Sequence, residues 1–167
     1  MAGLALAALI LPGPVAAQET TQANETVKAT YGDWDIVCAT AKPDQCRLRQ
    51  IGETVDGKKA LIVYVGKLDG VTTKDGKHVP AAIRITTPLG TILRAGLKIQ
   101  IDGGEPQTGN FEVCIPSGCI VSDAISEKYL GQLKAGSVAN MSFQLLQQGV
   151  LSVDISLKGF TKAFGKL

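Results

Sequence analysis

The chain has 167 residues, of which 45% are hydrophobic, 19% charged and only 5% aromatic, with a formal net charge of +2. Its 17 Lys and Arg are interspersed with 15 Asp and Glu, with no basic run and no interleaved aromatics, which argues against a nucleic-acid groove. A single histidine leaves little for metal or acid–base chemistry.

Residues 1–17 carry no charge. Positions 4–11 form an apolar run of signal-peptide length, Pro12, Gly13 and Pro14 break it, and Val15 and Ala17 supply small residues before a cleavage point at Gln18. No Lys or Arg precedes the run, so the true start is left open. A spanning anchor needs about 20 apolar residues, and the proline break comes too early for one. The expectation is a cleaved signal peptide at 1–17 and no spanning segment afterwards. No lipid-anchored N-terminus is expected, because the first cysteine is Cys38. Residues 18–30 are polar and aperiodic and read as a flexible spacer. One domain is expected at 31–167.

Period-two patterning recurs through that domain and predicts strands at 33–39, 46–51, 61–65, 82–86, 92–101, 110–115, 138–146 and 151–157. In the last of these Leu151, Val153, Ile155 and Leu157 alternate with Ser152, Asp154 and Ser156. In 46–51, Cys46, Leu48 and Gln50 share one face, and Arg47, Arg49 and Ile51 share the other. The continuous apolar run at 61–65 predicts a central strand buried on both faces. Asp56-Gly57, Asp69-Gly70, Asp75-Gly76 and Asp102-Gly103 mark turns. One helix is predicted at 124–134, capped by Ser122 or Asp123, with Ile125, Tyr129 and Leu133 on one side and Gly136 ending it. A second short turn is expected at 161–164. The fold class is all-β: an antiparallel sandwich, jelly-roll-like, of about eight short strands with one short helix. An outer-membrane barrel would need strands of about ten residues and aromatic girdles, for which the chain has too few aromatics.

The four cysteines fall as two close pairs, Cys38 with Cys46 and Cys114 with Cys119. In an oxidising compartment they would persist as disulfides. Three connectivities are open. Local pairing is favoured because Pro43-Asp44 and Pro116-Ser117-Gly118 give each pair a reversal to close. The spacing does not suit a redox CxxC at a helix start, nor a zinc ribbon.

Catalytic signatures are weak. His78 sits in a lysine-bearing turn and reads as a solvated loop residue, and Ser117 has no base nearby in sequence. A Ser-Lys dyad or paired carboxylates would have to be assembled by the fold. No catalytic, metal or cofactor residue is assigned, and the binding residues stay unknown. Trp34, the only tryptophan, reads as a core anchor near Cys38, against the alternative of an exposed partner contact.

Trp34 to Cys38 forms W-x-x-x-C, and Pro88 to Gly96 forms P-x-G-x-x-L-x-x-G. Cys114 to Cys119 forms C-x-x-x-G-C, and Leu157 to Ala163 forms L-x-G-F-x-x-A. In this order, across roughly 31–167, they resemble the invasion-associated locus B family of α-proteobacterial envelope proteins. The resemblance implies a secreted or envelope-located β-sandwich, with a founding member linked to entry of a pathogen into red blood cells. It implies no catalytic residues.

The resulting expectation is an exported, non-catalytic envelope protein, periplasmic, outer-membrane-associated or secreted. Its partner would be a protein or an envelope or host-surface component, and nucleic acid is not expected. The alternative is a periplasmic enzyme or small-ligand-binding protein whose site the fold assembles. A deep pocket with convergent polar groups would favour the alternative, and a flat apolar or basic patch would favour partner binding.

Overall fold

The computed structural model describes residues 25–167, so the expected leader and the first part of the expected spacer lie outside the described residues. The first half of the chain gives β1 (Glu25–Tyr31), β2 (Trp34–Ala39), β3 (Lys42–Glu53), β4 (Lys59–Lys67) and β5 (Ala81–Thr87). A short 3-10 turn at Leu93–Ala95 leads into β6 (Leu97–Ile101), β7 (Gln107–Gly109), β8 (Phe111–Ile115) and β9 (Gly118–Ile125). Helix α1 (Glu127–Ala135), β10 (Val138–Leu145), β11 (Gly149–Ser156) and helix α2 (Phe160–Phe164) complete it.

The strands form two antiparallel sheets, ordered β1-β2-β3-β4-β5-β9-β8 and β11-β10-β6-β7. Most neighbours are consecutive hairpins, which is what closely spaced turn signals produce. Leu48, Val63, Ile85 and Val121 from the larger sheet pack with Ile99, Met141, Phe143, Val153 and Ile155 from the smaller one, in a single buried cluster. The result is an all-β sandwich. The alternation at 151–157 is observed: Val153, Ile155 and Leu157 are buried and Asp154 is exposed. Leu48 and Gln50 face the core as their spacing required, and Gln50 is satisfied there by donating to the Asp33 and Ser156 carbonyls at 2.8 and 3.0 Å.

Several expectations are corrected. The described residues hold eleven strands rather than about eight. The strand expected at 92–101 is split by the 3-10 turn, and β6 begins only at Leu97. The helix expected at 124–134 begins at Glu127, capped by Ser126, whose Oγ accepts from the Tyr129 N–H at 3.2 Å. Ser122 and Asp123 do not cap it, because they pair with Arg84 and Ile83 of β5 within β9. In the LIVYV run Ile62 is half-buried, so the outer face of β4 is not fully covered. Residues 25–30, read as spacer, belong to β1 and pair with β2 from Glu25↔Ala39 to Thr30↔Asp35.

Both cysteine pairs are direct register partners, Cys38↔Cys46 between β2 and β3 and Cys114↔Cys119 between β8 and β9. The Cα atoms lie 4.0 and 3.9 Å apart, with each pair bonded as a disulfide. Non-reducing peptide mapping is expected to recover these two bridges, and a Cys38–Cys114 peptide would overturn the local pairing. Each short loop is expected to contribute roughly 2–3 kcal/mol through the unfolded chain.

Candidate partner-binding surface

Trp34 is core: its residue is 1% exposed, its indole N–H donates to the Ser156 carbonyl at 2.8 Å, and its ring meets Phe160 edge-on. His78 is exposed, with Nδ1 2.9 Å from Glu127 Oε1. Ser117 lies exposed in the β8–β9 turn. None of these is drawn towards another into a reactive constellation. Among the described residues no group of three or more His, Cys, Asp or Glu is arranged to hold a metal ion.

A charged cluster lies on the outer face of the larger sheet. The Glu25 carboxylate ion-pairs with Arg47 and accepts from the Tyr64 hydroxyl at 3.2 Å. The Arg47 guanidinium lies 3.9 Å from the Tyr64 ring centroid, and Arg49 donates to Asp35 at 2.9 Å. Burial, then the Glu25 charge, pushes the Tyr64 hydroxyl above its ordinary pKa. These groups largely satisfy one another and hold the edge strand β1 onto the sheet, which is a structural role. Elsewhere, Tyr129 presents a buried hydroxyl with no hydrogen-bond partner among the described residues, its pKa pushed up to about 12 by burial and then by Asp123.

The turns at one end of the sandwich are different. The β3–β4 turn, the connection after β5 and the β10–β11 turn converge there around an open groove of about 520 Å³. Their backbones are tied by hydrogen bonds. Thr54 N–H donates to the Lys58 carbonyl and Gly57 N–H to the Thr54 carbonyl, both at 2.8 Å. Leu146 N–H donates to the Gly90 carbonyl at 2.9 Å and Ile92 N–H to the Gln144 carbonyl at 2.8 Å, so the loop after β5 is fastened to the opposite sheet. The buried Thr87 and Thr91 hydroxyls lie 3.0 Å apart, and Thr91 also donates to the Pro88 carbonyl at 2.8 Å.

These fixed loops display apolar side chains. Of the ten large hydrophobic residues exposed among the described residues, seven lie at this end. Val55 is on the β3–β4 turn, Leu89 and Leu93 follow β5, Val113 and Ile115 are on β8, and Leu146 and Val150 are on the β10–β11 hairpin. Only Val27, Val71 and Val138 lie elsewhere. Titratable groups on the groove are Asp56, Lys58 and Lys59, all exposed at its rim. Hydrogen bonds from Lys58 and then Thr54 hold Asp56 at about 2, so it stays charged and paired. The groove therefore offers contact area and carries no general base aimed inward.

Sequence reasoning assigned no binding residues, yet a signal was present. Val55 precedes Asp56-Gly57, Leu89 sits between Pro88 and Gly90, and Leu146 leads into Gln147-Gln148-Gly149. An apolar residue inside a turn dipeptide has no local structural reason to be there.

Comparisons with known proteins agree with the fold. A crystal structure of invasion associated protein B from Bartonella henselae superposes with a TM-score of 0.65 at 23% identity, covering 84% of this chain and 95% of that one. Invasion protein B of Bartonella bacilliformis is 24% identical over 142 residues, covering 83% of this chain and 73% of that protein. Among the described residues no helix is long and apolar enough to cross a membrane. The family model described as Invasion associated locus B (IalB) protein spans residues 34–167, from Trp34 to the last residue, and the chain belongs to that family.

Proposed function

We propose that this protein works outside the cytoplasm as a non-catalytic envelope component that binds a partner through the apolar loop end of its sandwich. One observation carries the reading: Val55, Leu89 and Leu146, three exposed apolar side chains from three different connections, line one open groove at this end. Exposed apolar side chains that share one concave site mark a candidate contact surface. The uncharged apolar leader and the paired cysteines support export. The relatives' description as invasion proteins supports a role at a cell surface.

The test is a strain carrying Leu89→Ser with Leu146→Ser, compared with a deletion strain for envelope integrity and host-cell entry. Both sites are exposed, so protein level and disulfide content are expected to stay at wild type. The double variant is expected to reproduce the deletion defect. A deletion defect that the double variant fully complements would remove the apolar end from the function. A silent deletion in both assays would remove the envelope role itself.

A further inference from the structure

The chain carries 17 Lys and Arg against 15 Asp and Glu, and the fold gathers the excess in one place. Lys28 of β1, Lys67 at the end of β4 and Lys166 after α2 line one open hollow of about 480 Å³. Two more lysines reach it through aromatic rings. Lys162 Nζ lies 5.3 Å from the ring centroid of Tyr31, which lines the hollow. Lys67 and Lys134 Nζ both lie over the Phe164 ring, 5.4 and 5.1 Å from its centroid. All five lysines are exposed, and none is ion-paired to an Asp or Glu among the described residues. We infer that this hollow docks an acidic polysaccharide, one whose sugars carry sulfate or phosphate esters, on a surface separate from the apolar loops.

The charge here does not cancel. Asp44 and Asp69 are the acidic side chains that line the same hollow. The Leu167 oxygen accepts from Lys67 at 3.0 Å, and counting it as a terminal carboxylate still leaves five positive charges against three negative. At the margins Glu25 and Asp35 are paired with Arg47 and Arg49, and Lys158 adjoins Asp33, whose N–H donates to its carbonyl. Apart from the five lysines and two aspartates, the chain has twelve Lys and Arg against thirteen Asp and Glu.

The ammonium groups are also held without being neutralised. A carboxylate would fix a lysine and cancel its charge, whereas an aromatic face fixes it and leaves the charge to attract a ligand. Phe164 is buried in the core cluster, so the ring that carries Lys67 and Lys134 is itself immobile. Less side-chain freedom is then lost when an anion arrives.

Residue type selects among polyanions. The five cations are all lysine, and the four arginines lie elsewhere, Arg47, Arg49 and Arg84 on β3 and β5 and Arg94 in the 3-10 turn. Interfaces with folded proteins favour Arg and are poor in Lys. Nucleic acids are read by Arg forks and by exposed aromatic faces, but Tyr31 is half-buried and Phe164 buried. Bilayer insertion calls for apolar side chains at the surface, and none of the exposed large hydrophobic residues lines this hollow. Lysine acts as a hydrated point charge, suited to anionic esters without a fixed bidentate geometry. The five lysines come from β1, β4, α1, α2 and the residues after α2, a spread that fits a chain of anions better than a single ion.

The experiment titrates the full chain with dextran sulfate and with phosphomannan, using neutral dextran, polyglutamate and phosphatidylglycerol vesicles as contrasts. At least one of the two anionic polysaccharides is expected to bind, neutral dextran is not, and binding should fall as salt is raised. Lys67→Gln with Lys134→Gln should weaken binding roughly thirtyfold. Arg84→Gln with Lys98→Gln removes the same charge from the outer faces of the two sheets and should change it by no more than about twofold.

Equal losses in the two double variants would overturn the inference, because binding would then follow net charge and not this hollow. Failure of both anionic polysaccharides to bind would overturn it as well, as would unchanged binding by the Lys67 and Lys134 variant. Polyglutamate bound as tightly as either polysaccharide would make the ligand an acidic peptide, and tighter binding to the vesicles would make it a lipid surface. Either result removes the polysaccharide. The apolar loop end is untouched by any of these outcomes.

Discussion

Trp34→Ala is expected to lower the unfolding free energy by about 4–5 kcal/mol, most of it from the cavity left behind. The side chain is almost wholly enclosed, and its edge lies against Phe160 with ring centroids 5.1 Å apart. Its N–H also joins the two sheets, since Trp34 begins β2 and its acceptor, Ser156, ends β11. That hydrogen bond is the smaller loss. Gln50 donates to the same Ser156 carbonyl at 3.0 Å, so the acceptor is not orphaned when the indole goes. Trp34→Phe keeps an aromatic ring and forfeits the N–H and one ring of volume, and should cost only about 1–2 kcal/mol. Urea unfolding followed by far-UV circular dichroism separates the two, because the fluorescence signal disappears with the indole. A Trp34→Ala protein within about 1 kcal/mol of wild type would revive the reading of Trp34 as an interface residue, against its burial here.

Where a segment's own pattern decided its structure, the sequence could be read directly. The alternation from Leu151 to Leu157 and the two faces of 46–51 appear in the structure because burial on one side of a strand leaves no other register. The helix start shows the limit. Ser122, Asp123 and Ser126 are all competent caps by chemistry, and what excludes the first two is pairing with β5, some forty residues upstream. β1 was illegible for a related reason. Its residues are polar and mostly exposed, and the partners that fix it, Arg47 and Tyr64, lie in other strands.

The same distinction applies to the landmarks of the family pattern. Trp34 and Phe160, far apart in sequence, make one aromatic contact, and the two cysteine pairs are cross-strand neighbours. Pro88 and Thr91 shape the loop that joins the sheets. These residues identify the fold because they build it. The exposed apolar residues of the loop end stand outside the four motifs except for Leu89, Leu93 and Ile115.

Gly159→Ala is expected to cost about 3–4 kcal/mol, well beyond an ordinary turn glycine. Gly159 has φ +89°, a conformation L side chains rarely adopt, and it precedes α2. An added Cβ would fall on the Tyr31 carbonyl, within 2.5 Å of its carbon and 2.9 Å of the Gly32 nitrogen. Both obstacles are backbone, which cannot swing aside as a side chain can. Gly32 meets the same crossing from the other side, with a Cβ there 2.8 Å from the Lys158 carbonyl carbon. The chain before α2 and the β1–β2 turn are thus held in backbone contact, reinforced by Asp33 N–H donating to the Lys158 carbonyl at 3.1 Å. Forcing them apart would lift Phe160, Ala163 and Phe164 from the core they close. Gly57 supplies the comparison: it also has positive φ, +75°, but a Cβ there meets nothing within 4 Å. Gly57→Ala should therefore cost only the conformational part, about 1 kcal/mol. Equal losses at the two sites in urea unfolding would mean that the close approach adds nothing. A much larger loss at Gly159 would place the demand for glycine there in the contact between the two turns.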